Sequence, residues 1–270
     1  MAKAFSLASW NMENFKEDET KKTRVIQFLK EQDPDLFGLY EVVGNGVFAM
    51  LVKEMPSYQF HITEGPETQE ILVGVKNGFT AFFTQKVEFK SGIQALRPGA
   101  LLTLTVDGEH YPILFLHTKS SSLPLGLGIR DDQFNRAFKF KQLLDKDAGG
   151  PGKANFMFLG DLNLMGMRYP FGKDIDPSVE VDKLKEGAYD VNMRRLAKNK
   201  PYTWWGGPTA DHEPADLDQV VASKQLEFKK VEGADIEVKG WPEYEATSDQ
   251  ANWVKQYSDH GLLYLEVQKV

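Results

Sequence analysis

Apolar residues recur along this chain in two spacings, every second position and every third or fourth, and the two alternate from end to end. Phe5 to Trp10 predict a strand. Val25, Ile26 and Leu29 fall on one side of a helix over residues 20–31, with Asp18 or Thr20 as its cap. A strand over 35–41 follows, entered through Asp33-Pro34, and then helical spacing over 47–55. Residues 71–76, Asn77-Gly78 and the run to Phe89 predict a hairpin, because Asn-Gly between apolar runs suits a two-residue turn. Residues 100–106 and 111–117 predict a second hairpin about Asp107-Gly108. Helical spacing returns over 129–146 through Phe134, Ala137, Phe138 and Leu144. Strands are predicted at 155–159, ending in Gly160-Asp161, at 218–223 and at 261–267. With no linker, repeat or coiled-coil register, residues 1–270 read as one α+β domain. The expected architecture is two packed, mostly antiparallel sheets with helices outside.

Composition adds limits. The 41% of apolar residues, with five Trp and 18 Phe, can fill a large core. No apolar run approaches the ~20 residues of a membrane span. The amino terminus lacks the apolar stretch of a secretory signal, so a cytoplasmic location is expected. The absence of cysteine excludes disulfides, zinc–thiolate sites and thiol nucleophiles. A net charge of −7 argues against a protein that coats nucleic acid electrostatically. It leaves a nuclease open, since a bound cation offsets carboxylates. Residues 193–200 carry four positive charges and no negative one, whereas 17–19 and 211–213 are acidic; solvated faces are the plain reading of all three.

Polar side chains of one chemical kind stand where the strands end. Glu41 closes the apolar run from Leu36, where a carboxylate is costly unless solvated or neutralised, and a cation would neutralise it. Asn11 and Glu13 are two positions apart; in an extended chain they face the same side, to hold a cation together or to let the amide orient the carboxylate. Asp161 and Asn163 repeat that spacing, a proton acceptor beside an amide able to bind phosphate. His117 ends the strand of 111–117, and His260 follows Asp259 before the last strand. Two imidazoles suit activation of a nucleophile and protonation of a leaving group. Asp218 could orient one of them. Arg97 or Arg130 could clamp a phosphate, and Trp204-Trp205 could wall a site or stack on a base, although core packing is the commoner use.

These blocks are carried in order by the endonuclease/exonuclease/phosphatase superfamily, which the chain resembles over nearly its whole length: Ser9 to Glu13, Glu41, Gly160 to Asn163, Asp216 to Asp218 and Ser258 to His260. The resemblance implies a deoxyribonuclease I-like four-layer α/β/β/α sandwich with the site at one rim of the sheets. It implies Glu41 as the central Mg²⁺ ligand, with Asn11, Glu13 or Asp259 nearby, and Mn²⁺ or Ca²⁺ as substitutes. It gives Asp161 and Asn163 the nucleophilic water and the phosphate, and sets Asp218 to orient His260. His117 and Arg97 are similar to the general-acid His and a phosphate-contacting Arg of the deoxyribonuclease branch. That branch pairs its acid His with a Glu; Gln69 stands there, between Glu67 and Glu70. The residues after Asn163 and the lack of cysteine depart from the inositol polyphosphate 5-phosphatases, and no anchor supports a membrane sphingomyelinase.

The leading expectation is therefore a Mg²⁺-dependent phosphodiesterase, an endonuclease cutting DNA with little sequence preference, acting as a monomer. No protein partner can be inferred. A hydrolase of a small phosphorylated metabolite or a lipid headgroup is the alternative, and a catalytically silent binding module the third.

Overall fold

The computed structural model describes residues 2–15, 19–43, 45–65 and 69–269. Twelve strands and five α-helices are described, in the order β1 (Lys3–Phe15), α1 (Glu19–Gln32), β2 (Leu36–Val42), α2 (Asn45–Glu54), β3 (Tyr58–Ile62), β4 (Glu70–Lys76) and β5 (Thr80–Lys86). Then come β6 (Gly99–Val106), β7 (Glu109–His117), α3 (Pro124–Asp147), β8 (Met157–Asp161), α4 (Pro177–Asp190), β9 (Met193–Arg195) and β10 (Asp218–Ser223). The last elements are β11 (Glu237–Lys239), α5 (Thr247–Gln256) and β12 (Leu262–Gln268).

They form two six-stranded sheets, ordered β11-β12-β1-β2-β4-β3 and β5-β6-β7-β8-β10-β9. Among the described strands, only β1–β2 and β7–β8 pair in parallel. Alternation along the strands makes the layers. Phe5 and Leu7 of β1, Ile113 and Phe115 of β7 and Leu159 of β8 meet between the sheets. The opposite faces carry Trp10 and Met12 toward Val25, Leu29 and Trp253, and Phe156 and Phe158 toward Phe134, Phe138 and Leu184. Helix, sheet, sheet and helix thus bury three apolar layers, which is the α/β/β/α sandwich expected.

One hairpin differs from expectation. Asp107 (φ 53) and Gly108 (φ 88) both take positive φ, as a two-residue hairpin turn requires, and β6 and β7 pair across them. At Asn77-Gly78 only Gly78 does (φ 102), and β4 and β5 lie in different sheets. The chain passes there from one layer to the other, because β5 pairs with β6 of the second sheet and not with β4. Asp18, an alternative cap for α1, lies outside the described residues. Among the described residues no helix is long and apolar enough to cross a membrane.

Candidate active site

Strand register builds the site. In the sheet containing β8, Asp161 stands opposite His117 of β7 on one side and Asp218 of β10 on the other. The three form one row across adjacent strands. Two positions along each strand lie Phe115, Leu159 and Val220, all in the layer between the sheets, so the three polar side chains enter the same space. From the facing sheet, Asn11 of β1 pairs with Tyr40 of β2, and Glu41 follows. The apolar layer thus ends at one rim in a cluster of acids, amides and imidazoles.

Backbone geometry confirms how constrained that rim is. Glu13 (φ 48), Asn14 (φ 51), Glu41 (φ 60) and Asn163 (φ 48) are left-handed non-glycine residues, a conformation retained where surrounding contacts enforce it. At Gly160 (φ 139) a Cβ would sit 2.0 Å from the Leu116 carbonyl oxygen and 2.6 Å from the Tyr40 hydroxyl, so only glycine lets β8 approach so closely. A bend held by Ser258 turns both Asp259 and His260 inward. Its hydroxyl donates to the Asn11 carbonyl at 2.7 Å and accepts the His260 N–H at 3.1 Å.

His260 Nδ1 lies 2.8 Å from Asp218 Oδ2, both residues being buried, so the expected acid–imidazole pair is present. Its Nε2 faces Asp161 Oδ2 at 3.9 Å. Burial alone would lower the His260 pKa, but Asp218 and Asp161 outweigh it and raise it to about 10. Asp161 is raised to about 6 by burial, with Asp218 adding to the rise, against His260 and the Asn11 and Asn163 hydrogen bonds. His117 Nε2 lies 3.5 Å from Asp161 and 3.8 Å from Glu41. Burial lowers its pKa well below 6.5, and Arg97 and His260 add to the effect, so His117 is neutral near pH 7.

The amides act differently from the simplest expectation. Asn11 Nδ2 donates to Asp161 at 2.9 Å and Glu41 at 3.3 Å, while its oxygen accepts the Glu13 N–H at 3.0 Å. It therefore orients two carboxylates, and its oxygen is turned away from them; of the two roles open from sequence, ligand and orienter, the structure favours the second. At Glu13 the strand leaves extended backbone, and its half-exposed carboxylate pairs with Lys21; burial, then the nearby Asp259, push its pKa up, so it remains in electrostatic reach of the cluster. Asn163 Nδ2 donates to the Thr118 carbonyl at 3.2 Å.

At the rim, Arg97 Nε donates to the Gln69 carbonyl at 2.6 Å, and its Nη2 to the Gln69 side-chain oxygen. The Gln69 amide turns to Asn14 and, at 3.5 Å, to Glu41. The Glu70 carboxylate is taken by Thr63 at 2.5 Å, and Glu67 lies outside the described residues. Among the described residues no side chain accepts from His117 Nδ1.

Several readings are corrected by contacts. Arg130 is buried and chelates Glu180 at 2.5 and 2.9 Å, which removes it as a phosphate clamp. The basic run at 193–200 is not a free cationic face: Arg194 pairs with Asp235, and Arg195 and Lys198 with Asp216. Trp205 packs beside Trp241, but Trp204 donates from Nε1 to Asp259 Oδ2 at 2.7 Å. That role was missed because adjacent tryptophans read as core, although an indole N–H needs a partner when buried.

The donor set fits a hard divalent cation. Asp218 Oδ1 and Asp259 Oδ1 are buried carboxylate oxygens with no hydrogen-bond partner, and Asp161 shares its pocket with them. Asp161, Asp218 and His260 place ligand atoms within 4.8 Å of one another, a group able to hold a metal. His260 Nδ1 and Asp218 Oδ2 already satisfy each other, so a cation held by this group would compete with that pair.

Two packed six-stranded sheets between helices are the deoxyribonuclease I-like fold. An endonuclease/exonuclease/phosphatase protein from Beutenbergia cavernae superposes with a TM-score of 0.65 at 14% identity, covering 98% of this chain and 72% of that one. TDP2 from D. rerio, solved with a single-strand DNA product, superposes with a TM-score of 0.70 at 15% identity, covering 98% and 99%. In sequence, tyrosyl-DNA phosphodiesterase 2 of Bos taurus is 26% identical over 172 residues, which span 59% of this chain and 42% of the bovine protein. No family model matches the chain.

Proposed function

We propose that this chain is a metal-dependent phosphodiester hydrolase acting on DNA, cutting internal bonds with little sequence preference, as a monomer in the cytoplasm. The observation that carries the reading is the single row of His117, Asp161 and Asp218 joined by His260, two proton-handling groups and two imidazoles in one buried cluster. A raised Asp161, at about 6, accepts a proton from water near neutral pH. His260, held protonated by Asp218, donates hydrogen bonds to the phosphoryl oxygens as charge accumulates. Water forms the new bond to phosphorus, the bond to the leaving oxygen breaks, and the water proton goes to Asp161. His117 is the group placed to protonate the leaving oxygen, once an incoming phosphate raises its affinity for protons. Asn163 steadies the phosphate and Arg97 approaches it from the rim.

Glu41, with Asp259 nearby, is our assignment for the cation, with Mg²⁺ the intended ion and Mn²⁺ or Ca²⁺ as substitutes. When bound, such an ion polarises a phosphoryl oxygen and offsets developing negative charge.

A second reading is favoured by the likeness to tyrosyl-DNA phosphodiesterase 2 and to TDP2 holding single-strand DNA. It places the cut at a strand end bearing a tyrosyl ester. Neutralisation of the 193–200 run supports it, since duplex DNA would meet no broad cationic face there. Purified protein incubated with supercoiled plasmid and with an oligonucleotide ending in a phosphotyrosyl ester, with Mg²⁺ or EDTA, separates the two. Nicking that needs Mg²⁺ and vanishes in His260→Ala supports the endonuclease; release of tyrosine alone supports the end-processing reaction. Inertness toward both, with the fold intact, would remove DNA as the substrate.

A further inference from the structure

Two chain segments leave the site, one after His117 and one after Asn163, and Arg130 ties them together. Its Nη1 donates to the Lys119 carbonyl at 3.1 Å and the Ser121 carbonyl at 2.7 Å, and its Nη2 to the Gly166 carbonyl at 2.9 Å. Arg168 N donates to the Ser122 carbonyl at 2.6 Å. Beyond that bracket the second segment closes on itself: Met167 and Ile175 exchange backbone hydrogen bonds at 2.9 and 2.8 Å. The Tyr169 N–H is fixed by Asp174 at 2.8 Å.

The tip of this closed loop is aromatic and faces solvent. Phe171 is 88% exposed and Tyr169 42%. Their rings meet edge to face, with centroids 6.2 Å apart and planes at 82°, so Tyr169 braces Phe171 and leaves a ring face open. Arg168 and Lys173 flank the pair in sequence, and the two acids of the segment are engaged by backbone, Asp174 by the Tyr169 N–H and Asp176 as the cap of α4. Phe171 is eight residues beyond Asn163, so it lies within about 29 Å of it even if the chain were straight. Exposed aromatics interleaved with cations, anchored to both rims of a phosphate site, are the chemistry of single-stranded nucleic acid binding, where rings stack on bases and cations follow the backbone. A lipid surface could engage the same chemistry, and the fold neighbour that holds single-strand DNA favours nucleic acid.

We propose that the 167–175 loop is a base-stacking platform, on which Phe171 receives an unpaired base of a single DNA strand whose phosphate lies at Asp161 and His260. The inference rests on the proposed phosphodiesterase reading.

The test compares wild type, Phe171→Ala and Phe171→Trp on a single-stranded oligonucleotide of about 12 nucleotides, within the usual span of such sites, and on bis(p-nitrophenyl) phosphate, both with Mg²⁺. Phe171→Ala is expected to lose about 5- to 100-fold in kcat/KM on the oligonucleotide, mostly through KM, from the loss of one stacked base. Hydrolysis of the small diester should be unchanged, and Phe171→Trp should restore the oligonucleotide. Equal cleavage of the oligonucleotide by Phe171→Ala and wild type would overturn the platform, as would parallel losses on both substrates. A wild type that cleaves only the small diester overturns it while sparing the chemistry of the site; one that cleaves neither sinks the phosphodiesterase reading itself. Sedimentation with phosphatidylcholine–phosphatidylserine vesicles, lost in Phe171→Ala while oligonucleotide cleavage is unaffected, would assign the tip to membranes instead.

Discussion

Changing Glu180 to glutamine keeps the volume of the side chain and removes the charge that faces Arg130. The wild-type carboxylate accepts from Arg130 Nε at 2.5 Å, Arg130 Nη2 at 2.9 Å and Gly166 N at 2.9 Å. Arg130 has no exposed surface, and its other donors reach three carbonyls. Glutamine offers one oxygen and one NH₂, so a donor must face a donor, and the guanidinium becomes a buried charge without a counter-ion. Breaking such a pair from one side costs about 3–5 kcal/mol. With a urea m-value of about 3 kcal/mol/M, the upper end for small proteins, the unfolding midpoint falls by roughly 1–1.7 M. The double change Arg130→Met with Glu180→Leu separates pairing from bracing. Were the ion pair all that mattered, apolar replacement of both partners would cost little. Because Lys119, Ser121 and Gly166 would lose their donor, the double variant is expected to stay destabilised and to exchange amide hydrogens faster at 118–123 and 164–168. A midpoint shift below about 0.3 M for Glu180→Gln, or unchanged exchange in the double variant, would refute the reasoning.

Other outcomes follow from the same geometry. In metal-free protein, His260 contributes stability in full below its unfolded pKa near 6.5, and this is lost as pH rises through about 10. Urea midpoints at pH 7 and pH 10 should therefore differ more in wild type than in Asp218→Asn. Gly160→Ala must accommodate a methyl against the Leu116 carbonyl and is expected to lose more than about 2 kcal/mol, measured by denaturation. Asp161→Asn should reduce phosphodiester hydrolysis by about 10²–10⁴-fold with near-wild-type folding, checked by kcat on bis(p-nitrophenyl) phosphate. Trp204→Phe removes the donor that fixes Asp259 and should weaken Mg²⁺ binding by about 10- to 100-fold, read by calorimetric titration; equal affinity would detach Trp204 from the metal side.

Strand-end chemistry was the legible part of this protein. His117, Asp161 and Asp218 were recognisable because each ends or begins an apolar run, and alternation then dictates that they share a face. The layers were legible for the same reason. What the sequence concealed depends on contacts between distant segments. Asn77-Gly78 has hairpin composition, yet which sheet β5 joins is decided by pairing with β6, not by the turn. Arg130 sits mid-helix with the look of a surface cation, and only Glu180, fifty residues away, makes it a core residue. The 193–200 cations read as a patch until Asp216 and Asp235 arrive from elsewhere in the chain. Asn11 posed a rotamer question, since its amide can turn oxygen or nitrogen toward Glu41, and spacing is silent on that.

The sheet order has a temporal consequence. One sheet is drawn entirely from residues 80–223, a continuous stretch that can pair with itself as it emerges. The other joins β1 to β12, so Ser9 waits for Leu263 to form its outer pair. His260 and Asp259 sit at the head of that last strand. Half of the proton-handling apparatus therefore reaches the site only when the two ends of the fold are stitched together, and a nascent or clipped chain lacking β12 carries the acid row without its partner. Hydrolytic competence thus depends on both ends of the fold being in place together.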